Sequence, residues 1–528
     1  MPASTFVLGT MARRGLLNPT RVDRVLQQFS ELRTWGFGLA GALRAGAVRR
    51  PHRVAVADAH RVLTYDVLTQ RSVRLANGLK AAHGVQPGEP IGVLCQNSVP
   101  MVEIMAALTI IGAIPVLINT GLGPDSLTAV LKNQNIRLLI HDDDLFDLVA
   151  TALPQDVRRI SADGDPRRPS PTLAGLVSAG QPHESGPPDT PSTIIVLTSG
   201  TTGAPRGARR PNAPGLHPLS ATLARIPLRT GERMLIAAPL FHTWGLSMLQ
   251  VCFALGGTVV LRRRFEPVDT YQALGQHRCN SLVAVPVMLQ RILELRAPVP
   301  PLRAVVSSGS ALPGGLANRF MDSYGEVLYN LYGSTEVSAV SIATPADLRR
   351  APNCAGRAPH GTRLAIFGAR GEPLPVGRIG RIFVGNDLLF DGYTEGPSHE
   401  SRDGMLSTGD LGHLTPDGLL FVDGREDDMI VSGGENVYPS TVEDVIAELP
   451  QIREVTVGSV PDQEYGQRLA AWIVLNDGER LDPDAVREYV RHRLARFSVP
   501  RDVHYLAWLP RSATGKVLTR QLRGGWQA

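Results

Sequence analysis

Lysine is nearly missing from this sequence. Of 54 basic residues only Lys80, Lys132 and Lys516 are lysines, so where either cation would serve the chain carries Arg, and a lysine invites a chemical explanation. Cysteine is scarce too. Cys95, Cys252, Cys279 and Cys354 lie far apart and form no CxxC pair, which predicts buried, reduced thiols rather than a disulfide framework. No run approaches the ~18–20 apolar residues that span a bilayer, and no charged, apolar, small-residue leader opens the chain, so a cytoplasmic protein is expected. Neither charge sign dominates: a net charge of +5 spread over 528 residues implies a weak preference for anionic ligands and no nucleic-acid partner. No internal repeat or low-complexity tract occurs.

What is present is a globular composition, 43% apolar and 20% charged, on a chain too long for one core, so two or three domains are expected. Residues 1–50 mix Arg with scattered apolar residues, and Val22 to Val48 predicts one or two amphipathic helices. These pack on the main body or rest a basic face on a membrane surface. From residue 51 to 423 short apolar runs alternate with helical stretches: Ile91 to Cys95, Leu138 to His141, Thr258 to Leu261, Ser281 to Val285 and Ala304 to Ser307. Such runs, bounded by Gly, Pro or Ser, are buried strands of an α/β protein. Ser161 to Ser192, rich in Pro, Gly and Ser, reads as a surface loop. After Gly424 the character changes. Ser440 and Glu443 stand at capping-box spacing, Asp482-Pro483 opens a helix and Ala470 to Leu475 reads as a strand, which predicts a small α+β domain over 424–528.

The segment Thr198-Ser199-Gly200-Thr201-Thr202-Gly203-Ala204-Pro205-Arg206-Gly207 directly follows the apolar strand Ile194 to Leu197. Glycines allow close backbone approach, the N–H groups and hydroxyls of Ser199, Thr201 and Thr202 can donate to phosphate oxygens, and Arg206 adds positive charge. It is a phosphate cradle without the GxxxxGK[ST] spacing of a Walker A loop.

With four further segments in order, this loop resembles the signature of the adenylate-forming superfamily, which contains acyl-CoA synthetases, luciferases and nonribosomal-peptide adenylation domains. The others are Tyr332-Gly333-Ser334-Thr335-Glu336, Ser407-Thr408-Gly409-Asp410, Gly424-Arg425 through Gly433-Gly434-Glu435-Asn436-Val437-Tyr438-Pro439, and Pro510-Arg511-Ser512-Ala513-Thr514-Gly515-Lys516. The resemblance runs from about Arg53 to the C-terminus. It implies a large N-terminal α/β AMP-binding domain of several subdomains over 51–423, a small mobile α+β lid over 424–528, and ATP-dependent activation of a carboxylic acid. The acid becomes an acyl adenylate with loss of pyrophosphate, and the acyl group then passes to coenzyme A.

The resemblance also implies residue roles. Glu336 corresponds to the Mg2+ ligand, an oxygen donor suited to a hard cation bridging phosphates, and Thr335 to a partner of the α-phosphate. Tyr332 with Gly333 offers a flat face to adenine, and the loop Ser308-Gly309-Ser310-Ala311 closes on the base's other edge. Asp410 and Arg425 hold the ribose hydroxyls. Lys516 contacts the carboxylate and α-phosphate oxygens during adenylation. Because it occupies the approach the thiol needs, the small domain rotates about a hinge at Asp427, and Ser432-Gly433-Gly434 then lines a pantetheine tunnel.

The segment Pro239-Leu240-Phe241-His242-Thr243-Trp244-Gly245 carries no acid to pair with a substrate ammonium. It resembles the fatty-acyl and aryl-acid branch, with His242 and Trp244 gating the acyl tunnel. Arg206 stands where many members have Lys, Ser498 where relatives often have Lys, and Met405 where they often have Trp. The leading expectation is a ligase for medium- or long-chain fatty acids that uses Mg2+, ATP and CoA. Alternatives are a fatty acyl-AMP ligase serving a carrier-protein thiol and a non-catalytic acyl or nucleotide sensor. A homodimer and a peripheral membrane contact stay open.

Overall fold

The computed structural model describes residues 3–17, 22–164, 171–183, 186–198, 205–396, 398–426, 430–432, 435–462, 466–512 and 515–523. Three helices open the chain: α1 (Ala3–Arg13), α2 (Val22–Trp35) and α3 (Leu39–Arg49). The amphipathic stretch is thus two helices, α2 and α3, broken at Gly36 with φ +77°, a backbone angle that glycine adopts at little cost. Leu39 and Leu43 of α3 are buried, each stabilising the docked helix by ~2 kcal/mol. The second helix packs on the third, which packs on the helix Thr243–Ala254, while α1 packs on His217–Arg225.

Two parallel-cored sheets follow. The larger has eight strands, with order 338–343, 328–334, 304–307, 281–284, 233–236, 258–261, 54–57, 62–64. Its six central strands run parallel and each edge strand pairs antiparallel. The second, of six strands, runs 158–161, 138–141, 90–94, 114–117, 194–198, 206–210, and only its last pairing is antiparallel. The five apolar runs all became strands to within one residue at either end. Being covered on both faces, they need no polar alternation, which is why they read as continuous apolar runs. A five-stranded antiparallel sheet adds the strands 363–367, 380–385, 401–402, 405–414 and 420–425.

The last hundred residues form a two-stranded and a three-stranded sheet with the helices Pro439–Ala447 and Pro483–Arg491. Asp482 caps the second of these, accepting from Asp484 N at 2.8 Å. Together with the larger α/β part this is a big N-terminal domain followed by a smaller one. All four cysteines are free and buried.

Two local expectations need correction. The capping box at Ser440 and Glu443 does not form. The helix starts earlier, with Pro439 in its first turn and Tyr438 before it; the Ser440 hydroxyl donates to Asp423 O, and Glu443 accepts from Thr456 Oγ1 and Val457 N at 3.0 and 2.7 Å. Proline's fixed φ sets the start, and tertiary partners claim both side chains. The stretch 161–192 is also more than a loop: within its described residues a helix spans Leu173–Ala179, capped by Thr172 and burying Leu173, Leu176 and Val177.

Candidate active site

A cavity of about 1040 Å3 lies where the large domain meets the small one. It is lined by Thr198, Arg206, His242, Trp244, Ser308, Gly309, Ser310, Ala311, Tyr332, Gly333, Thr335, Glu336, Asp410, Arg425 and Lys516. Fifteen expected site residues, drawn from seven segments, therefore face one space. Ser432 ends the strand Ile430–Ser432. Ser199, Gly200, Thr201, Thr202, Gly203, Asp427, Gly433 and Gly434 lie outside the described residues.

The hairpin joining the strands 328–334 and 338–343 presents Thr335 and Glu336. Gly333 makes the turn possible, because a Cβ there would sit 1.9 Å from Ser338 O. Ser338 takes the left-handed conformation, φ +57°, a strained choice for a non-glycine residue. Several bonds hold the turn. Phe390 N donates to Glu336 O at 2.8 Å, and the Ser338 hydroxyl donates to Leu388 O at 2.6 Å. Arg210 Nη1 donates to Thr335 O at 2.7 Å and to Ser338 Oγ at 2.8 Å. Among the described residues Arg210 makes no ion pair, although it lines the cavity. Burial lowers it to about 10, with the Glu336 carboxylate opposing that shift.

Glu336 is buried, and its Oε1 accepts from the Tyr393 hydroxyl at 2.8 Å. Tyr393 also meets His399 Nε2 at 3.0 Å, and Arg206 lies 4.0 Å over its ring, a cation–π distance. Burial, then the Glu336 charge, push the Tyr393 phenol above its ordinary range, so it stays a donor to Glu336. Magnesium is commonly held by one or two carboxylates with substrate phosphates completing its shell. One buried carboxylate facing the cavity fits that pattern. No cluster of three His, Cys, Asp or Glu arranged for a metal occurs among the described residues.

Tyr332, partly buried, donates its hydroxyl to Asp410 Oδ2. Burial, then the Asp410 charge, raise the phenol well above its usual value. Asp410 and Arg425 are register partners across adjacent strands, with Arg425 Nε 3.7 Å from Asp410 Oδ1. A planar ring, a carboxylate and a guanidinium are thereby fixed side by side in the cavity lining.

His242, which also lines the cavity, precedes the helix Thr243–Ala254. Its Nε2 is buried without a hydrogen-bond partner, and burial lowers it to about 4, so the imidazole is neutral at ordinary pH. Thr243 Oγ1 donates to Thr335 Oγ1 at 3.0 Å, and Trp244 Nε1 donates to Ala284 O at 3.1 Å, locking the indole. Apolar side chains line the same cavity, among them Leu216, Leu219, Met248, Val251, Leu32 and Met11.

Lys516 enters from the small domain on a turn closed by Ser512 N to Lys516 O at 2.8 Å and Gly515 N to Ser512 O at 2.8 Å. Gly515, buried with φ +80°, sits where a Cβ would lie 2.8 Å from Val287 Cγ1 of the large domain. A side chain there would collide with Val287, so the turn or the Val287 side chain would have to shift. The two domains are further joined by Arg453 and Glu294, paired through two bonds of 2.8 and 2.7 Å, and by Asn353 Nδ2 donating to Asp444 Oδ2 at 3.0 Å. Burial, then Glu443 and Glu448, raise Asp444 to about 7.

Arg210, Thr243, Tyr393 and His399 escaped sequence reasoning. Arg210 ends a strand, Arg206–Arg210, that carries three arginines, and nothing in that pattern singles it out.

Two family models match the chain: AMP-binding enzyme over residues 43–394, and the AMP-binding enzyme C-terminal domain over 441–516. The chain belongs to the AMP-binding enzyme family. Feruloyl-CoA synthase of an Amycolatopsis species is 33% identical over 487 residues, covering 90% of this chain and 96% of its own. Indoleacetate–CoA ligase of Aromatoleum aromaticum is 32% identical, covering 90% and 95%. The o-succinylbenzoate CoA synthetase of Bacillus subtilis, solved with its acyl-adenylate intermediate, superposes with a TM-score of 0.80 at 28% identity, covering 91% and 97%. These findings bear out the superfamily resemblance and support an AMP-forming acid–thiol ligase with ATP and CoA as substrates. None of the three relatives is named for a fatty acid.

Proposed function

We propose that this AMP-binding enzyme converts a hydrophobic carboxylic acid to its CoA thioester through an acyl adenylate. The observation that carries the acid class is the apolar arm of the cavity. Leu216, Leu219, Met248 and Val251, with Met11, Leu16 and Leu32 of the N-terminal segment, line the same cavity as Thr335, His242 and Trp244. Arg210, Asn212 and Gln250 also line the cavity, but those apolar side chains favour a hydrophobic tail. A medium- or long-chain fatty acid fits an arm of this kind. The relatives named for feruloyl and indoleacetate substrates favour a second reading, an acid with an aromatic tail.

The chemistry joins two anions, and the site must neutralise charge and align the reactants. Lys516 places its ammonium against the acid's carboxylate and the α-phosphate, where a compact cation on a flexible stem fits a narrow approach. Thr335 donates to the α-phosphate, and Arg206 offsets charge on the outer phosphates. Glu336 would hold Mg2+, whose positive charge supports pyrophosphate departure when bound. Tyr332 offers its ring to adenine while Asp410 accepts from the ribose hydroxyls. Neutral His242 and fixed Trp244 line the passage through which the acid reaches Thr335. In this reading the small domain, starting near residue 424, rotates about Asp427 for the second step, and Ser432, Gly433 and Gly434 admit the pantetheine arm. The closed seam described above, with Lys516 in the cavity, suits the first step.

The test is pyrophosphate release with Mg-ATP over a panel of acids from acetate to long-chain and aryl acids, each with and without CoA. Acid-dependent release, with acyl-CoA appearing when CoA is added, supports the ligase, and the preferred acid decides between the readings. Release without thioester points to a carrier-protein acceptor. No release with any acid overturns the proposal.

A further inference from the structure

The family model begins at residue 43, so α1 and α2 lie outside the matched stretch. Yet Met11, Leu16, Phe29 and Leu32 from this segment line the same cavity as Thr335 and Lys516. A segment outside the matched stretch that lines the substrate cavity can alter which tails fit without touching the reacting atoms.

The segment is firmly docked. Glu31 of α2 pairs with Arg44 of α3 at 2.8 Å, with both side chains largely shielded. Arg44 also lies 4.2 Å over the Trp35 ring. At the other end, the Phe6 ring stacks on His360 at 3.8 Å and 11°, and Arg49 Nη2 donates to Gly15 O at 3.2 Å. Met11 and Leu16 are 5% exposed and Leu32 is 9% exposed, whereas Phe29, one turn before Leu32 on the same face of α2, is 41% exposed. Residues three apart on a helix are neighbours, so Leu32 forms buried wall and Phe29 forms the rim where the cavity reaches the surface.

We propose that α2 is the gauge of acid length in this enzyme: Leu32 and Phe29 close the far end of the apolar arm and set the longest acyl or aryl-alkyl tail accepted. The inference rests on the proposed function and deepens it. Tails that stop short of α2 never meet these residues and are indifferent to them. Tails that reach α2 gain apolar contact with Leu32 and are stopped by the Phe29 ring.

The experiment measures kcat/KM in the full-length enzyme for a homologous series of straight-chain acids and a parallel series of ω-phenyl acids. Wild type is compared with Leu32→Phe and Phe29→Ala. A methylene gained or lost in an apolar pocket changes kcat/KM by ~10–200-fold, so Leu32→Phe should depress the longest accepted acids at least about tenfold and leave the shortest unchanged. Phe29→Ala should extend the series by one or more carbons. The shortest active acid serves as an internal control for folding. Equal losses across the series in both variants, or unchanged length profiles, overturn the inference while leaving the ligase standing. A wild type that activates no acid overturns both.

Discussion

Arg210 supplies the sharpest test of how the Thr335–Glu336 hairpin is held. Burial brings its guanidinium from 12.5 to about 10, and at ~1.4 kcal/mol per pH unit that sets about 3 kcal/mol against the charged form. Its bonds to Thr335 O and Ser338 Oγ return about 1.5–3 kcal/mol each. Arg210→Met removes both terms at once. The two nearly cancel, so global stability should fall by no more than ~3 kcal/mol, most of it from leaving Thr335 O unpaired. Function should suffer more. Without the tether the strained turn is left to the Ser338 bond to Leu388 O and the Phe390 bond to Glu336 O, and a displacement of ~1 Å in a positioned group costs about a hundredfold in rate. The expected result is a fall of roughly that size in acid-dependent pyrophosphate release, with a weaker response to Mg2+ and a melting temperature lower by only a few degrees. Unchanged activity, or a loss matched by collapse of the melting transition, would refute the reasoning.

Three further outcomes follow from the same geometry. Lys516→Ala should abolish adenylation while sparing thioester formation from supplied acyl adenylate; equal loss of both steps would count against the role given to Lys516. His242, lowered to about 4 by burial, is neutral from pH 6 to 9, so His242→Gln should change KM for the acid but leave the pH profile over that range unaltered; loss of a titration near 6.5 would contradict this. Asp444 is raised to about 7, so the folded state binds a proton more tightly than the unfolded chain. Stability from this group is therefore full below about pH 4 and is lost as pH rises towards 7. Asp444→Asn should raise the melting temperature by ~1–2 °C at pH 8 and lower or leave it unchanged at pH 5; an equal shift at both values would contradict the assignment.

The sequence showed whatever local patterning encodes. The runs Leu138 to His141, Thr258 to Leu261 and Ala304 to Ser307 matched strands to the residue, because strands buried on both faces are apolar throughout. Motif residues such as Glu336, Asp410 and Lys516 were identifiable because a resemblance carries position as well as chemistry. What escaped was set by contacts distant in sequence. Tyr393 matters because it meets Glu336, 57 residues earlier, and Arg210 because it reaches Thr335, 125 residues later. No local spacing announces either. Ser440 and Glu443 show the converse: a good local pattern yielded to Pro439 and to acceptors and donors elsewhere in the fold. For residues 1–50, packing on the body and a face laid on a membrane were both open; the described helices α1, α2 and α3 pack on the body, and that Met11 and Leu32 line the cavity depended on where the helix 243–254 lies.

The central claim is that one acid, one ATP and one CoA give one thioester, one AMP and one pyrophosphate. The most direct measurement follows all three products in a single reaction of the full-length enzyme with its preferred acid. The account predicts equal yields of AMP, pyrophosphate and acyl-CoA. ADP and phosphate as products, or AMP and pyrophosphate without thioester, would contradict it.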